Sequence, residues 1–97
     1  MARVLFTITY TVQESQKRAY FDLVTQLRGK FASNPDVQYS VFEVKGKKNT
    51  YQEIFIYPSK EIFDAADEIA EKTNVTDVIE KIHAMTDSVS YATAYEV

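Results

Sequence analysis

Val37-Gln38-Tyr39-Ser40-Val41-Phe42-Glu43-Val44-Lys45-Gly46-Lys47-Lys48-Asn49-Thr50-Tyr51-Gln52-Glu53-Ile54-Phe55-Ile56-Tyr57 reads as two strands and the turn between them. Residues 37–45 and 51–57 are rich in aromatic and β-branched side chains, which suit a pleated surface. The five residues 46–50 between them make a hairpin loop. Lys45, Lys47 and Lys48 gather at its tip, where solvated charge keeps a strand edge from pairing with another chain.

Towards the N-terminus, residues 4–12 alternate, with Val4, Phe6, Ile8, Tyr10 and Val12 on one side of a strand. Over residues 14–31 the spacing becomes helical, and Tyr20, Leu23, Val24, Leu27 and Phe31 share a face. Asn34-Pro35 is the stop signal, because proline restricts the residue before it and cannot continue a helix. Beyond the hairpin, Pro58-Ser59 opens a second helix with Ser59 as N-cap and Ile62, Phe63, Ala66, Ile69 and Ala70 on its inner stripe. Asn74 is expected to cap a further short helix on which Val75, Val78, Ile79, Ile82 and Met85 align, and residues 89–97 alternate as a last strand. The order β-α-β-β-α-α-β describes an α+β, ferredoxin-like domain: a four-stranded antiparallel sheet with helices on one face. Its 97 residues, 45% of them hydrophobic, are expected to form one domain over positions 1–97 with a core of its own.

A sheet with helices on one face and water on the other should alternate cleanly. These strands do not. Val37, Tyr39 and Val41 oppose Phe42 and Val44, and Phe55 and Tyr57 oppose Ile54 and Ile56. Two-sided apolar character implies that the far face is covered, and the simplest cover is a second copy, a homodimer formed through the sheet. The alternative is a sheet with a few tolerated apolar residues on its wet side.

Composition removes many activities. Eleven basic and fourteen acidic residues, a formal net charge of -3, offer no extended positive surface for nucleic acid. No cysteine is present, so disulfides and thiolate chemistry are absent, as suits a reducing, cytoplasmic setting. The first residues run straight into the alternating pattern without an apolar leader, and nothing approaches a membrane span of roughly 20 apolar residues. Gly29 and Gly46 are the only glycines and make no phosphate-cradling loop. One histidine without cysteine gives no protein-only zinc site, and no serine sits in a strand-to-helix elbow, so no metal site and no serine triad are expected.

Two features remain. At roughly 100° per residue, the single histidine, His83, is displaced by about 80° from the face of Val75, Val78, Ile79 and Ile82, at the edge of the apolar stripe rather than in solvent. There it could serve as a general base or a ligand donor, or simply hydrogen-bond to backbone or water. Seven tyrosines and six phenylalanines accompany it, with no tryptophan. Tyr10 and Tyr57, near the ends of their strands, together with Phe55 and Tyr91, could line a pocket for an aromatic small molecule, as could Tyr39 and Tyr95. The same rings suit a core or a dimer interface equally well.

The element order, the closing Ser90-Tyr91-Ala92-Thr93-Ala94-Tyr95-Glu96-Val97 run and the segment Ile54-Phe55-Ile56-Tyr57-Pro58-Ser59-Lys60-Glu61-Ile62-Phe63 together resemble the dimeric α/β-barrel superfamily, particularly its antibiotic-biosynthesis-monooxygenase-like group. The resemblance spans nearly the whole chain and rests on pattern rather than on one diagnostic motif. It implies two sheets packed into a dimeric barrel, with a pocket between sheet and helices in each subunit. Some members of the group oxidise reduced aromatic polyketides with oxygen and neither metal nor flavin. Others cleave haem, using an asparagine on the first strand, a tryptophan late on the third and a histidine on the helix before the last. Asp77-Val78-Ile79-Glu80-Lys81-Ile82-His83 is similar to that helix, with His83 at the ligand's place, but Tyr10 stands at the asparagine's place and Tyr57 at the tryptophan's. The resemblance therefore implies a cofactor-independent monooxygenase acting on an aromatic or polycyclic substrate, with His83 and Tyr57 as catalytic residues and haem as a weaker alternative. The competing reading is a ligand-binding or assembly module without catalysis.

Overall fold

A computed structural model describes residues 2–97. The first strand, β1 (Val4–Val12), is followed by a single 3-10 turn at Glu14–Gln16 and by α1 (Lys17–Phe31). Then come β2 (Gln38–Glu43), β3 (Thr50–Tyr57), α2 (Lys60–Asp64), α3 (Ala66–Thr73), α4 (Thr76–Ala84) and β4 (Thr86–Tyr95). The strands form one antiparallel sheet in the order β2-β3-β1-β4, the expected ferredoxin-like arrangement.

Register determines what the sheet presents. Val4, Phe6, Ile8 and Tyr10 lie opposite Tyr57, Phe55, Glu53 and Tyr51 of β3, while Tyr39 of β2 lies opposite Phe55. Directly opposed residues share a face, so these side chains form the helix-facing surface. Against it α1 buries Tyr20, Val24, Leu27 and Phe31, and α4 buries Val78 and Ile82. Burying a side chain as large as Leu27 contributes about 1.5–3 kcal/mol, so this double layer accounts for most of the apolar stabilisation. The opposite face carries Leu5, Phe42, Ile54 and Ile56, as the two-sided pattern requires. Leu5 and Phe42 are exposed there, at 39% and 56%.

Several boundaries differ from the sequence reading. β2 stops at Glu43 because the chain turns through Gly46, whose φ of 81° is the left-handed conformation that glycine adopts without strain. The long helix expected after Ser59 is two: Ser59 caps α2 as anticipated, accepting from the Ile62 N–H at 3.2 Å, but at Ala65 the backbone leaves the helical region. The Ala65 N–H is there shared between the Glu61 and Ile62 carbonyls, and a bend of this kind leaves no trace in side-chain periodicity. β4 begins at Thr86 rather than near Val89, because a register shift opposite Thr9 and Thr11 and the left-handed Ser88 absorb an extra residue.

The correction at Asn74 is one of role. Its side chain does not cap α4, whose N-cap is Val75. Asn74 instead closes α3 in the left-handed conformation, φ 61°, while the Val75 N–H reaches back to the Ala70 carbonyl at 3.0 Å. That is the asparagine form of the ending usually made by glycine. Lys30 Nζ then donates to the Asn74 carbonyl at 2.7 Å, tying this corner to α1. Asn74→Ala should lower unfolding free energy by roughly 1 kcal/mol, and Asn74→Gly should stay within a few tenths of a kcal/mol of the original; urea denaturation of the two variants checks the order.

Candidate functional site

The helices do not fill all the space above the sheet. A cavity of about 200 Å³ lies between the helix-facing surface and α3 and α4. Its floor is apolar and aromatic: Phe6 and Ile8 from β1, Phe55 and Tyr57 from β3, Tyr91 from β4. Ala66 and Ala70 of α3 and Ile79 of α4 roof it, and Phe31 closes one end from α1. Local sequence explains the void. Where α3 crosses aromatic strands it presents two alanines, and close packing elsewhere leaves the methylenes missing there uncompensated.

Four residues nominated from the sequence thus meet at one cavity: His83, Tyr57, Phe55 and Tyr91. Tyr57 is buried, stacked 6.5 Å from Phe55 at 11° and edge-on to Phe63 at 5.4 Å. Burial pushes its hydroxyl up to about 12, and the nearby Asp67 charge adds to the effect. At neutral pH Tyr57 is a hydrogen-bond donor, not a base. Tyr91 is 61% exposed on the edge strand and stacks on Phe6 at 6.1 Å. His83 lines the cavity yet is exposed, correcting the expectation that the edge of the stripe would withdraw it from water. The cause is that α4 buries Val78 and Ile82 deepest and carries His83 one position past Ile82, to the opening.

Tyr10 is not among the cavity residues. It is 1% exposed inside the core, edge-on to Tyr20 with their hydroxyls 2.8 Å apart. Tyr95 is also elsewhere, under the Lys60 ammonium, which sits 4.6 Å from its ring centre.

Tyr10 belongs to a cluster that the sequence reading missed, centred on Glu53. This carboxylate is 2% exposed, between Tyr51 and Phe55 on the buried face of β3 and opposite Ile8. The Tyr39 hydroxyl donates to its Oε2 at 2.5 Å, and the hydrogen-bonded Tyr10–Tyr20 pair lies in the same buried core. Burial raises the Glu53 carboxyl above its ordinary range, against the Tyr39 hydrogen bond, which favours the ionised form. Burial likewise raises the hydroxyls of Tyr10, Tyr20 and Tyr39. The signal was available: strict alternation puts Glu53 on the same side as Tyr51, Phe55 and Tyr57.

Haem does not fit this site. The cavity falls below the roughly 300–1,000 Å³ typical of drug-sized ligands, whereas a tetrapyrrole is larger than most of them, and His83 stands at the opening rather than over an enclosed plane. Among the described residues no cluster of three histidine or carboxylate side chains could hold a metal ion, and no helix is long and apolar enough to cross a membrane.

No protein-family profile matches the chain, and no curated protein sequence is similar to it. Solved structures are. SnoaB, a cofactor-independent oxygenase from Streptomyces nogalater, superposes with a TM-score of 0.74 at 16% identity, covering 97% of this chain and 92% of that one. An antibiotic biosynthesis monooxygenase gives 0.77 at 15% identity, over 100% and 99% of the two chains. A NIPSNAP family protein from Agrobacterium tumefaciens gives 0.72 at 11% identity, over 98% and 86%. The chain therefore shares the ferredoxin-like α+β fold of these structures, and at these identities the likeness establishes the fold alone.

The buried cluster makes stability depend on pH. A carboxyl whose folded-state pKa is raised binds its proton more tightly folded than unfolded, so stability falls as pH rises from the unfolded carboxylate range through the folded value. Glu53→Gln should therefore gain stability relative to the parent at pH 8 and lose that advantage near pH 4, read by thermal melts across the range. Tyr39→Phe, which leaves the carboxyl without its donor, should cost about 1–3 kcal/mol.

Proposed function

We propose that this protein is a cofactor-independent monooxygenase that acts on an electron-rich aromatic molecule of one or two rings, working as a homodimer. The observation that carries this reading is the cavity: an aromatic floor bearing one buried hydroxyl donor, Tyr57, with the single imidazole of the chain at its mouth. The shared fold with a cofactor-independent oxygenase supports it. A volume of about 200 Å³ suits a small ring system better than a polycyclic one.

The chemistry asked of the chain is modest, because a reduced aromatic substrate carries its own electrons. His83 accepts a proton from an activated C–H next to the ring, and the resulting carbanion adds oxygen. The peroxide takes a proton back. Loss of the remaining C–H proton with cleavage of the O–O bond then leaves a carbonyl and water, so CH2 plus O2 becomes C=O plus H2O. Tyr57, kept protonated by burial, donates to the oxyanion that develops during proton removal. Phe55 and Tyr91 hold the ring, and the apolar walls keep bulk water from competing for the carbanion.

Dimerisation is assigned to the far face of the sheet, where Leu5, Phe42, Ile54 and Ile56 form a half-apolar surface. A second copy of the same face buries it symmetrically.

Oxygen uptake with 2-tetralone, a two-ring ketone with an acidic benzylic CH2, tests the chemistry. His83→Ala should lower the rate by roughly a hundredfold or more, and Tyr57→Phe by roughly a hundredfold, with melting temperatures close to the parent's. Full activity in both variants refutes these roles, and binding without oxygen uptake makes the protein a ligand-binding module instead. Light scattering tests the assembly: the parent should be dimeric and Ile54→Glu monomeric, and a strictly monomeric parent at micromolar concentration overturns the dimer.

A further inference from the structure

The aromatic cavity has a neighbour. A second basin, of about 370 Å³ and open to solvent, lies where the end of α1 meets the start of β2, lined by Arg28, Pro35, Val37 and Tyr39 among others. Phe31, the last residue of α1, lines both spaces. Its ring is edge-on to Phe55 on the cavity side, centroids 6.0 Å apart at 88°, and tilted against Tyr39 on the basin side at 5.2 Å. Tyr39 and Phe55 touch each other beneath it, 5.0 Å apart on adjacent strands. The wall between the two spaces is thus a triangle of rings, two standing on the sheet and one hanging from the helix.

The two sheet rings are held in place. Tyr39 is anchored by its hydrogen bond to Glu53, and Phe55 is stacked on Tyr57 and packed against Phe6 at 5.9 Å. Phe31 has no polar anchor, and it sits at the helix terminus, with the chain turning away through Ala32 and Ser33. It is the member whose removal opens the wall without disturbing the sheet.

We propose that Phe31 is the specificity-determining partition of the site: its ring ends the cavity after one or two fused rings, and without it the cavity joins the basin into a channel that admits three. This rests on the aromatic-ligand reading above. The limit is set by one side chain from α1 rather than by the sheet or by α3 and α4.

The test is calorimetric titration of the intact protein under nitrogen with 1,4-naphthalenediol, which has two rings, and 1,8-dihydroxyanthrone, which has three. The parent should bind the diol at least about tenfold more tightly than the anthrone, and Phe31→Ala should tighten anthrone binding by roughly tenfold or more and so narrow or reverse that preference. Phe31→Leu, which keeps the end of α1 packed, should gain anthrone affinity in the same direction by a smaller factor, and it stands in if the alanine variant fails to fold. A parent that already binds the anthrone as tightly as the diol, or folded variants that gain nothing for it while the diol still binds, overturns the partition and leaves the aromatic reading intact. If neither probe binds parent or variants, the ligand class fails and the partition fails with it.

Discussion

Everything in this molecule hangs on the pairing of β1 with β3. These central strands place Val4, Phe6, Ile8 and Tyr10 opposite Tyr57, Phe55, Glu53 and Tyr51 on one face, and no helix contact elsewhere could substitute for that surface. A one-residue slip would turn every one of those side chains to the other side and bring Leu5, Ile54 and Ile56 under the helices. Both α1 and the α3–α4 pair dock on the strip so formed, and the edge strand β4, which adds Tyr91 opposite Ile8 to the same face, stays almost wholly exposed.

The cavity follows from that same constraint. α1 covers the strip densely with Tyr20, Val24, Leu27 and Phe31, whereas α3 comes down over Phe55 and Tyr57 with alanines. Interiors are normally packed to the density of organic crystals, so a void between large rings and a roof that includes Ala66 and Ala70 is a feature the fold must be able to support elsewhere. It is supported by the aromatic network around it, in which Phe6, Phe55, Tyr57 and Phe63 brace one another at centroid separations of 5.4 to 6.5 Å.

The polar cluster at Glu53 adds a second kind of specification. A buried carboxyl whose donor, the Tyr39 hydroxyl, stands on the neighbouring strand favours one register of β2 against β3, since any other leaves it without that partner. Such a group contributes less to stability than apolar residues of the same size would, and its worth lies in excluding alternatives. It also places a titratable group beside Ile8, which lines the cavity. The opposite face is specified differently, by apolar residues that water leaves uncovered in a single chain.

The strand order, the helical face of residues 17 to 31, the cap at Ser59 and the two-sided character of β3 were all legible in the sequence, because each depends on local periodicity or on one side chain bonding to nearby backbone. The bend at Ala65, the left-handed closure at Asn74 and the bulge at Ser88 were not, since periodicity records which way side chains point and not where the axis turns. For the site, the sequence determined the inventory: one histidine, many tyrosines, no cysteine. It could not separate Tyr57, on the cavity, from Tyr10, hydrogen-bonded to Tyr20 in the core, because both alternate inward on their strands. That difference was decided by what lies across from each ring, the alanines of α3 over one and Tyr20 of α1 over the other, and only the tertiary structure brings those residues together.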